Sequence, residues 1–529
     1  MSYISFRPIA SRTPSFGNDL GQLVTQVMTT SNSSLEKNDV ALTERNGNKG
    51  DEDRVSVVDF GGDSALPPPP DLSAEEEKRL WRKIDKRLMP ILSLMYLLSF
   101  LDRGNARLQG LESQLHLVGN QYNIALTMYF IPYCLFECPA NLVLKKFRPS
   151  RWLPGIAIVW GTVMTLMGLV KSYPQLVGVR VCLGVAEAGL FPGVVYYLTL
   201  WYPRAMLQYR VGLFFGAASL AGAFSGLLAF GISFMSGTAG LLGWSWIFIL
   251  EGIATVLVGV LALFVLVDFP ATAAFLTPEE RSFVIWKKKF DNSSVGEEER
   301  FALRHMWSAL TDWQVWLHIL VYMSVVGPLY GISLFLPTII KNFGFSTAIS
   351  QLLTVPPYVF ATIVLLIFAV WSDAIRMRSP FILTGLCMLL IGFAINISDA
   401  HAGVKYFGTF FCVAGSYASF PGVVSWLGNN LAGQYKRGVG MAIHIGVGNF
   451  AGAIASNVFR AQDKPRYIIG HGIMLMFVGI GFVVTPAVIL LYININRKRD
   501  REMAELMSKY SDRELRELGD RAPDFRYIL

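Results

Sequence analysis

The segment Leu176–Trp201 reads LVGVRVCLGVAEAGLFPGVVYYLTLW, an apolar and glycine-rich run that contains one residue of each charge. About 20 predominantly apolar residues suffice to cross a bilayer as a helix, and this segment is long enough. It nevertheless contains Arg180 and Glu187. An intramembrane charge costs roughly 2.5–3.5 kcal/mol on insertion scales. The segment therefore predicts a membrane helix whose charges act on something that passes through, which indicates a transporter with an ionised cargo.

The composition extends this interpretation to the whole chain. Of the 529 residues, 53% are hydrophobic and only 16% are charged, whereas soluble domains carry about 25% charged residues. The mean hydropathy is +0.43. The net charge of +8 comes from basic residues that mostly flank apolar runs, a pattern of membrane orientation that argues against a nucleic-acid partner. Cys134 and Cys138 share a helix face without a histidine or further cysteine nearby, so packing is favoured, and neither a metal nor a cofactor is predicted.

Apolar runs of about 20 residues recur along the chain and predict an all-α polytopic membrane protein with twelve transmembrane helices. The runs lie at 88–106, 122–144, 152–171, 175–200, 211–234, 244–267, 315–340, 351–371, 381–398, 405–428, 438–459 and 468–494. The polar stretch 269–312 separates a six-helix bundle at 85–268 from a second one at 313–496. Residues 1–84 predict a disordered cytosolic tail, and residues 497–529 a second cytosolic tail.

Basic residues concentrate in alternate short loops. Loops 2–3, 4–5, 8–9 and 10–11 carry the excess, for example Lys145, Arg204, Arg376 and Lys436, although loop 11–12 breaks the trend. Lys and Arg favour the cytoplasmic side of a membrane. Both termini and the middle linker are therefore predicted to be cytosolic.

An internal repeat supports the division into six plus six helices. Phe191–Val195 reads FPGVV and recurs as Phe420–Val424, and two small-residue pairs downstream keep an offset within one residue of 229. The fourth and tenth helices are therefore equivalent. Parallel six-helix repeats are the pattern of major facilitator transporters, in which the cargo site lies near the midplane between two pseudo-symmetric halves.

Two pairs of ionisable residues are candidates for chemistry. Arg180 and Glu187 are two turns apart, so they share one face at roughly 10 Å separation, too far for an easy direct salt bridge. They either lock the bundle through partners on other helices, or bind an anion and exchange a proton. Asp102 and Arg103 end the first run as a surface charge pair or as an anion clamp with a titrating carboxylate.

Four other mid-membrane residues favour structural interpretations. Glu137 and Glu251 have no basic residue nearby in sequence that suggests a cargo role. His318 and His444 are more typical of satisfied core histidines than of a proton relay. The charge is therefore concentrated in the first half.

Several longer stretches together carry a resemblance to a known family. They are NQYNIALTMYFIPY from Asn120, KKFRPSRWLPG from Lys145, GVAEAGLFPGVVYYLTLWYPR from Gly184, GWSWIFILEG from Gly243, PLYGISLFLPTII from Pro328 and GNFAGAIASNVFRAQDKPRYIIGHG from Gly448. From about Asp85 to Arg499 the chain resembles the fungal allantoate permease group of the anion:cation symporter family, within the major facilitator superfamily. The resemblance implies a plasma-membrane symporter that imports a small carboxylate with a proton, most like nicotinate permeases; allantoate, pantothenate and biotin are alternative cargoes.

The resemblance also assigns site residues. Related anion carriers use an Asp-Arg pair in the first helix and an Arg and a Glu in the fourth, which match Asp102, Arg103, Arg180 and Glu187. It implies that Arg103 and Arg180 bind the anion, that Glu187 with Asp102 exchanges the proton, and that Asn449 adds a polar substrate contact. No catalytic residue is implied, and a monomer in the lipid bilayer is expected.

Two motifs depart from the family pattern. The family reads D-R-S-N-I-G-N-A in the first helix, whereas this chain reads Asp102-Arg103-Gly104-Asn105-Ala106 and lacks about three residues. The family pattern G-W-R-W appears here as Gly243-Trp244-Ser245-Trp246, with a serine in place of the arginine. Either change puts cargo choice and activity in question. A nutrient sensor that binds the same anion without flux is the alternative function, and the lack of H-E-x-x-H, G-x-S-x-G and P-loop motifs argues against an enzyme.

Overall fold

The computed structural model describes residues 72–101, 110–144, 147–291, 303–463, 466–507 and 518–529. Within these ranges the chain is helical and contains no strand. The candidate residues Asp102 and Arg103 lie outside the described residues, directly after the first helix.

The helices of the first half precede two linker helices. The first half contains α1 (Ala74–Leu101), α2 (Leu111–Gln114), α3 (Gln121–Leu144), α4 (Pro149–Met167), α5 (Tyr173–Glu187), α6 (Leu190–Trp201), α7 (Arg204–Ser233) and α8 (Gly243–Val265). The linker contains α9 (Pro278–Asp291) and α10 (Leu303–Leu310). The second half contains α11 (Trp313–Lys341), α12 (Thr347–Leu352), α13 (Val355–Ile375), α14 (Ser379–Ile397), α15 (Ala402–Asn430), α16 (Gln434–Gly448), α17 (Phe450–Ala455) and α18 (Ile468–Met507).

Most of the predicted membrane helices are present as long apolar helices. In the part of the chain that the structure describes, nine spans are long and apolar enough to cross a membrane, from Tyr173–Trp201 to Ile468–Met503. The other three predicted runs are also helical, as α1, α3 and α4, with 28, 24 and 19 residues, but they are not among these nine spans. The all-α polytopic architecture predicted from the apolar runs is therefore confirmed.

Helix α1 begins at Ala74, earlier than the boundary at residue 84 predicted for the disordered tail. Ser73 and Glu76 form a reciprocal capping box, in which the Ser73 N–H donates to Glu76 Oε2 at 2.9 Å and the Glu76 N–H donates to Ser73 Oγ at 3.4 Å. Leu80, Trp81 and Ile84 are buried on one face of the first turns. The N-terminal cap and the buried apolar face stabilise a helix here, although the segment is rich in charged residues, which predict a tail.

The fourth membrane span is interrupted, although its sequence predicts one continuous helix. Helix α5 ends at Glu187 and α6 begins at Leu190. Pro192 has no N–H to donate to the carbonyl of Ala188, and its ring crowds that carbonyl, so the helix is broken one turn before the proline. The equivalent Pro421 lies inside the uninterrupted helix α15. The break makes Glu187 a helix-terminal residue.

Gly184 allows helices α3 and α5 to pack closely. A Cβ built on Gly184 would overlap the carbonyl oxygen of Tyr129 and lie 3.0 Å from Pro132 Cγ. A Cβ built on Gly178, in the same helix, would meet no atom within 4 Å.

We expect Gly184→Ala to lower the free energy of unfolding by about 1–3 kcal/mol, because a backbone carbonyl cannot move aside for the new methyl group. Gly178→Ala is the matched control and is expected to leave stability unchanged. Thermal unfolding of the detergent-solubilised protein, followed by size-exclusion chromatography, measures both. Equal melting curves for the two variants would contradict the close packing of α3 on α5.

The segment 518–529, predicted to be part of a cytosolic tail, packs against the second half. The Trp426 indole and the Asn430 amide both donate to the Ile528 carbonyl, at 2.8 and 2.9 Å. The Tyr527 ring stacks on Tyr492 with centroids 4.6 Å apart. Burial beside Asp520 raises the pKa of Tyr527 to about 12. This part of the tail therefore belongs to the folded body.

A buried ion cluster fixes that segment. Lys436 Nζ lies 2.5 Å from Asp312 Oδ2 and 2.7 Å from Asp520 Oδ1. The three side chains are at most 8% exposed. Asp312 caps the start of α11, and Lys436 lies in the first turn of α16, so the cluster joins the tail to two helices at one end of the bundle. This end, where α1 begins and α18 ends, is called the terminus end below.

Candidate functional site

A small central cavity lies between the two halves. Glu187 of the first half and Asn449 of the second half both line it. Its remaining lining is mostly aromatic: Tyr96, Phe100, Tyr133, Phe191, Phe215, Tyr322, Tyr330 and Phe420. The cavity volume is about 10 Å³, which is close to the space that one water molecule needs. The site is therefore tightly closed in this conformation.

Glu187 reaches the cavity from the end of α5. Its side chain is buried, and the Tyr129 hydroxyl donates to Oε2 at 2.7 Å. Tyr129 lies on α3, which packs against α5 through Gly184. The close approach of these helices therefore places a hydrogen-bond donor beside the carboxylate.

Arg180 lines a second small cavity that it shares with Glu187. Leu334, from the second half, also lines this side cavity. The guanidinium carbon lies 5.6 Å from the centroid of the Phe248 ring, in cation–π range. Within the described ranges Arg180 forms no ion pair. The two residues that the sequence places on one face thus line one cavity, with Glu187 common to both cavities.

Asn449 connects the two halves. It lies at the break between α16 and α17, and its Nδ2 donates to Glu137 Oε2 of α3 at 3.2 Å. The Tyr322 and Tyr330 hydroxyls donate to Asn449 Oδ1 at 3.0 and 3.5 Å. Glu137 is fully buried, and its Oε1 has no hydrogen-bond partner among the residues that the structure describes. Asn449 therefore completes a polar contact across the interface of the halves.

Glu137, for which the sequence favours a structural role, adjoins the site through its contact with Asn449. A usable signal is present in α3, where Tyr129, Tyr133 and Glu137 recur every four residues and so form one polar stripe. Within that stripe Tyr129 contacts Glu187 of the first half, Tyr133 lines the central cavity and Glu137 contacts Asn449 of the second half.

The two membrane histidines occupy the core of the second half. His318 Nε2 lies 3.0 Å from the Tyr492 hydroxyl, and His444 Nε2 lies 3.1 Å from the His318 carbonyl oxygen. Both residues are fully buried. Both are therefore core histidines, although Nδ1 of each has no hydrogen-bond partner among the described residues.

Polar contacts between the halves close the end opposite the terminus end. Thr127 of α3 lies 2.9 Å from the Ser456 hydroxyl and accepts from Asn457 Nδ2 at 2.6 Å. Ser219, at the middle of α7, lies 2.5 Å from the Thr362 hydroxyl of α13. Both contacts join the first half to the second, and the one at Thr127 lies nearer that surface.

Aromatic rings close the central cavity toward the terminus end. Phe215 and Phe420 stack with centroids 4.0 Å apart, and Phe191 lies 5.5 Å from Phe420. Phe191 and Phe420 are the first residues of the two FPGVV copies. Equivalent residues of the two halves therefore meet each other beneath the central cavity.

Two six-helix halves with a buried cavity between them are the architecture of a membrane transporter. The chain belongs to the Major Facilitator Superfamily, whose family model matches residues 92–456. It is therefore a transporter and not an enzyme.

Similar proteins of the same superfamily cover most of the chain. The high-affinity nicotinic acid transporter of Saccharomyces cerevisiae is 34% identical over 505 residues, which span 93% of this chain and 92% of that protein. The MFS-type transporter cnsO of Penicillium expansum is 34% identical over 477 residues, which span 86% of this chain and 92% of that protein.

Solved structures of transporters share the fold. A bacterial homologue of the human lysosomal transporter Spinster, in an inward-facing and occupied conformation, gives a TM-score of 0.56 at 13% identity, covering 77% of this chain and 96% of that chain. The xylose transporter XylE from E. coli, in a partially occluded inward-open conformation, gives a TM-score of 0.56 at 15% identity. The match covers 76% of this chain and 96% of that chain. These similarities support the major facilitator fold that the six-plus-six repeat predicts.

Proposed function

We propose that this protein imports a small organic carboxylate, with nicotinate as the first candidate, by proton symport within the anion:cation symporter group. The observation that carries the proposal is the central cavity that brings Glu187 of the first half opposite Asn449 of the second. The similarity to a nicotinic acid transporter supports the choice of cargo. We place the protein in the plasma membrane, as the family resemblance implies. Both termini lie in the cytosol in this proposal, because the basic residues concentrate in the loops on that side.

Arg180 supplies the positive charge that an anion needs. Its planar guanidinium never deprotonates in proteins and can grip a carboxylate with two hydrogen bonds. It lies beside Glu187 in the side cavity, with its guanidinium carbon 5.6 Å from the centroid of the Phe248 ring. In the proposed mechanism Arg180, with Arg103, holds the carboxylate, while Asn449 contacts another polar atom of the cargo.

The aromatic lining suits a flat cargo. Tyr133, Tyr322 and Phe420 line the central cavity, and aromatic pairs gain about 0.5–1.5 kcal/mol beyond their buried area. A pyridine carboxylate offers one flat ring and one anionic group. The cavity must widen as the halves rock, because its present volume of about 10 Å³ does not hold a ring.

Glu187 couples the cargo to the proton. An ionised Glu187 repels an incoming carboxylate, and a proton on Glu187 removes that repulsion. Tyr129 stays hydrogen-bonded to the side chain in either state, because its hydroxyl can donate or accept. Anion and proton therefore bind together, with Asp102 as the second proton-exchanging group.

Uptake of radiolabelled nicotinate in a transport-deficient yeast, at acidic and neutral external pH, tests the proposal. We expect saturable uptake that is faster at acidic pH, and competition by unlabelled nicotinate exceeding that by allantoate, pantothenate or biotin. Stronger competition by one of those three would reassign the cargo. Nicotinate binding to the purified protein without any uptake would favour a sensor.

We expect Arg180→Gln to raise the KM for nicotinate uptake at least about tenfold, because a charge-assisted carboxylate contact contributes about 1.5–3 kcal/mol. Arg180→Lys keeps the charge without the planar fork and is expected to give an intermediate KM. Arg526→Gln, which alters a half-buried tail residue far from the central cavity in sequence, is the control. An unchanged KM in Arg180→Gln would remove Arg180 from the anion site.

A further inference from the structure

A larger cavity lies between the halves on the terminus side of the aromatic closure. Its volume is about 50 Å³, compared with about 10 Å³ for the central cavity. We call it the vestibule; its polar lining consists of Asn141, Tyr196, Thr199, Lys288, Ser425 and Arg437. Pro192 and Val424 of the two FPGVV copies also line it, so the vestibule begins where the contact of Phe191 and Phe420 ends.

Two buried side chains of the vestibule carry polar atoms that form no hydrogen bond. Asn141 is 4% exposed and Ser425 is 1% exposed. Asn141 Oδ1 and Ser425 Oγ have no hydrogen-bond partner within the described part of the chain. Buried polar atoms of native proteins are nearly always satisfied, so such a pair facing one cavity indicates a missing polar ligand. Asn141 belongs to the first half and Ser425 to the second.

Among the residues that the structure describes, the two charged residues that line the vestibule are cations. Arg437 Nε donates to the Leu431 carbonyl at 2.9 Å, which holds the guanidinium beside the cavity. Lys288 comes from the linker helix α9, which is tied to the start of α1 by the Lys287–Glu77 and Lys83–Glu280 ion pairs. Two cations that face one cavity favour an anion between them.

We propose that the vestibule is a second binding site for a small carboxylate, on the route between the central cavity and the terminus end, and that both sites hold an anion at once. This rests on the proposed function, since it assumes an anionic cargo. Arg437 and Lys288 hold the carboxylate, and the Ser425 hydroxyl and the Asn141 amide bind its oxygens or a further polar atom. Because both halves and the linker contribute, the site depends on the spacing of the halves.

The number of anions bound per protein tests the second site. Equilibrium dialysis of the purified full-length protein with radiolabelled nicotinate is expected to give two bound molecules in the wild type and one in Arg437→Gln or Ser425→Ala. Ser416→Ala is the matched control, since that hydroxyl of the same helix already donates to the Cys412 carbonyl at 2.8 Å. If one of these variants misfolds, as judged by size-exclusion chromatography, Asn141→Leu replaces it and is likewise expected to bind one molecule.

Transport from each side separates this proposal from a structural effect. In proteoliposomes we expect Ser425→Ala and Arg437→Gln to raise the KM about tenfold for nicotinate presented at the terminus side, and to leave the KM at the other side unchanged. One molecule bound by the wild type, or equal KM changes at both sides, would overturn the vestibule site while leaving the proposed function intact. A wild type that binds no nicotinate overturns both.

Discussion

Exchanging Glu187 for glutamine is expected to abolish the accumulation of nicotinate against its gradient, while exchange of labelled for unlabelled nicotinate across the membrane continues. Glutamine keeps the shape of the side chain and accepts the Tyr129 hydrogen bond, but it cannot release a proton. A transporter that cannot deliver its proton still moves cargo down a gradient and in counterflow. We expect pH-driven uptake in vesicles to fall to background, whereas counterflow stays within about threefold of the wild type.

Glu251→Gln is the matched control for this prediction. Glu251 is also a buried membrane carboxylate of the first half, but it lies on α8 and does not line the central cavity. Its replacement is expected to retain pH-driven accumulation. If Glu187→Gln still accumulates nicotinate uphill, proton coupling through Glu187 is wrong. Loss of both activities in both variants would instead indicate a folding defect.

Replacing Lys436 by methionine is expected to lower the free energy of unfolding by about 3–5 kcal/mol, the usual loss when one partner of a buried ion pair is removed. Methionine leaves the carboxylates of Asp312 and Asp520 buried near each other without their cation. Among the described residues, the Asp520 carboxylate then retains its contact with Gln314 Nε2 at 3.0 Å, and Arg499 still donates to the Asp520 backbone carbonyl at 2.8 Å. We expect the segment 518–529 to detach and the melting temperature of the purified protein to fall.

Two further variants give this prediction its control. Arg526→Met removes an ion pair with Asp500, whose side chain is 63% exposed, and such surface pairs contribute about 0–1 kcal/mol. Its melting temperature is expected to stay close to that of the wild type. The triple variant Lys436→Met, Asp312→Asn, Asp520→Asn removes all three charges and is expected to recover part of the loss. Equal melting temperatures of Lys436→Met and the wild type would contradict a stabilising role for the buried ion cluster.

The parts of the fold that follow from local patterns could be predicted from the sequence. Apolar runs of about 20 residues located the membrane helices, because helix length is set by bilayer thickness. The repeated FPGVV motif indicated the two equivalent halves. The spacing of Arg180 and Glu187 placed them on one helix face, and both line the side cavity.

Features that depend on contacts distant in sequence could not be predicted. Glu137 and Asn449 are 312 residues apart, and their hydrogen bond exists only because the halves pack together. The folded state of 518–529 likewise depends on Lys436 and Trp426 from other helices.

Two other features have local causes that hydropathy does not register. The early start of α1 follows from a capping box, and the break before Leu190 follows from a proline.

The meeting of Phe191 with Phe420 has a consequence for cargo size. Equivalent residues of two symmetry-related halves touch only near the axis that relates them, and a solute crossing between the halves travels along that axis. Two phenyl rings from one duplicated pentapeptide therefore lie on this route, with centroids 5.5 Å apart. Their bulk limits the cross-section of any molecule that passes, so smaller side chains at these two positions widen the range of solutes admitted and weaken the seal.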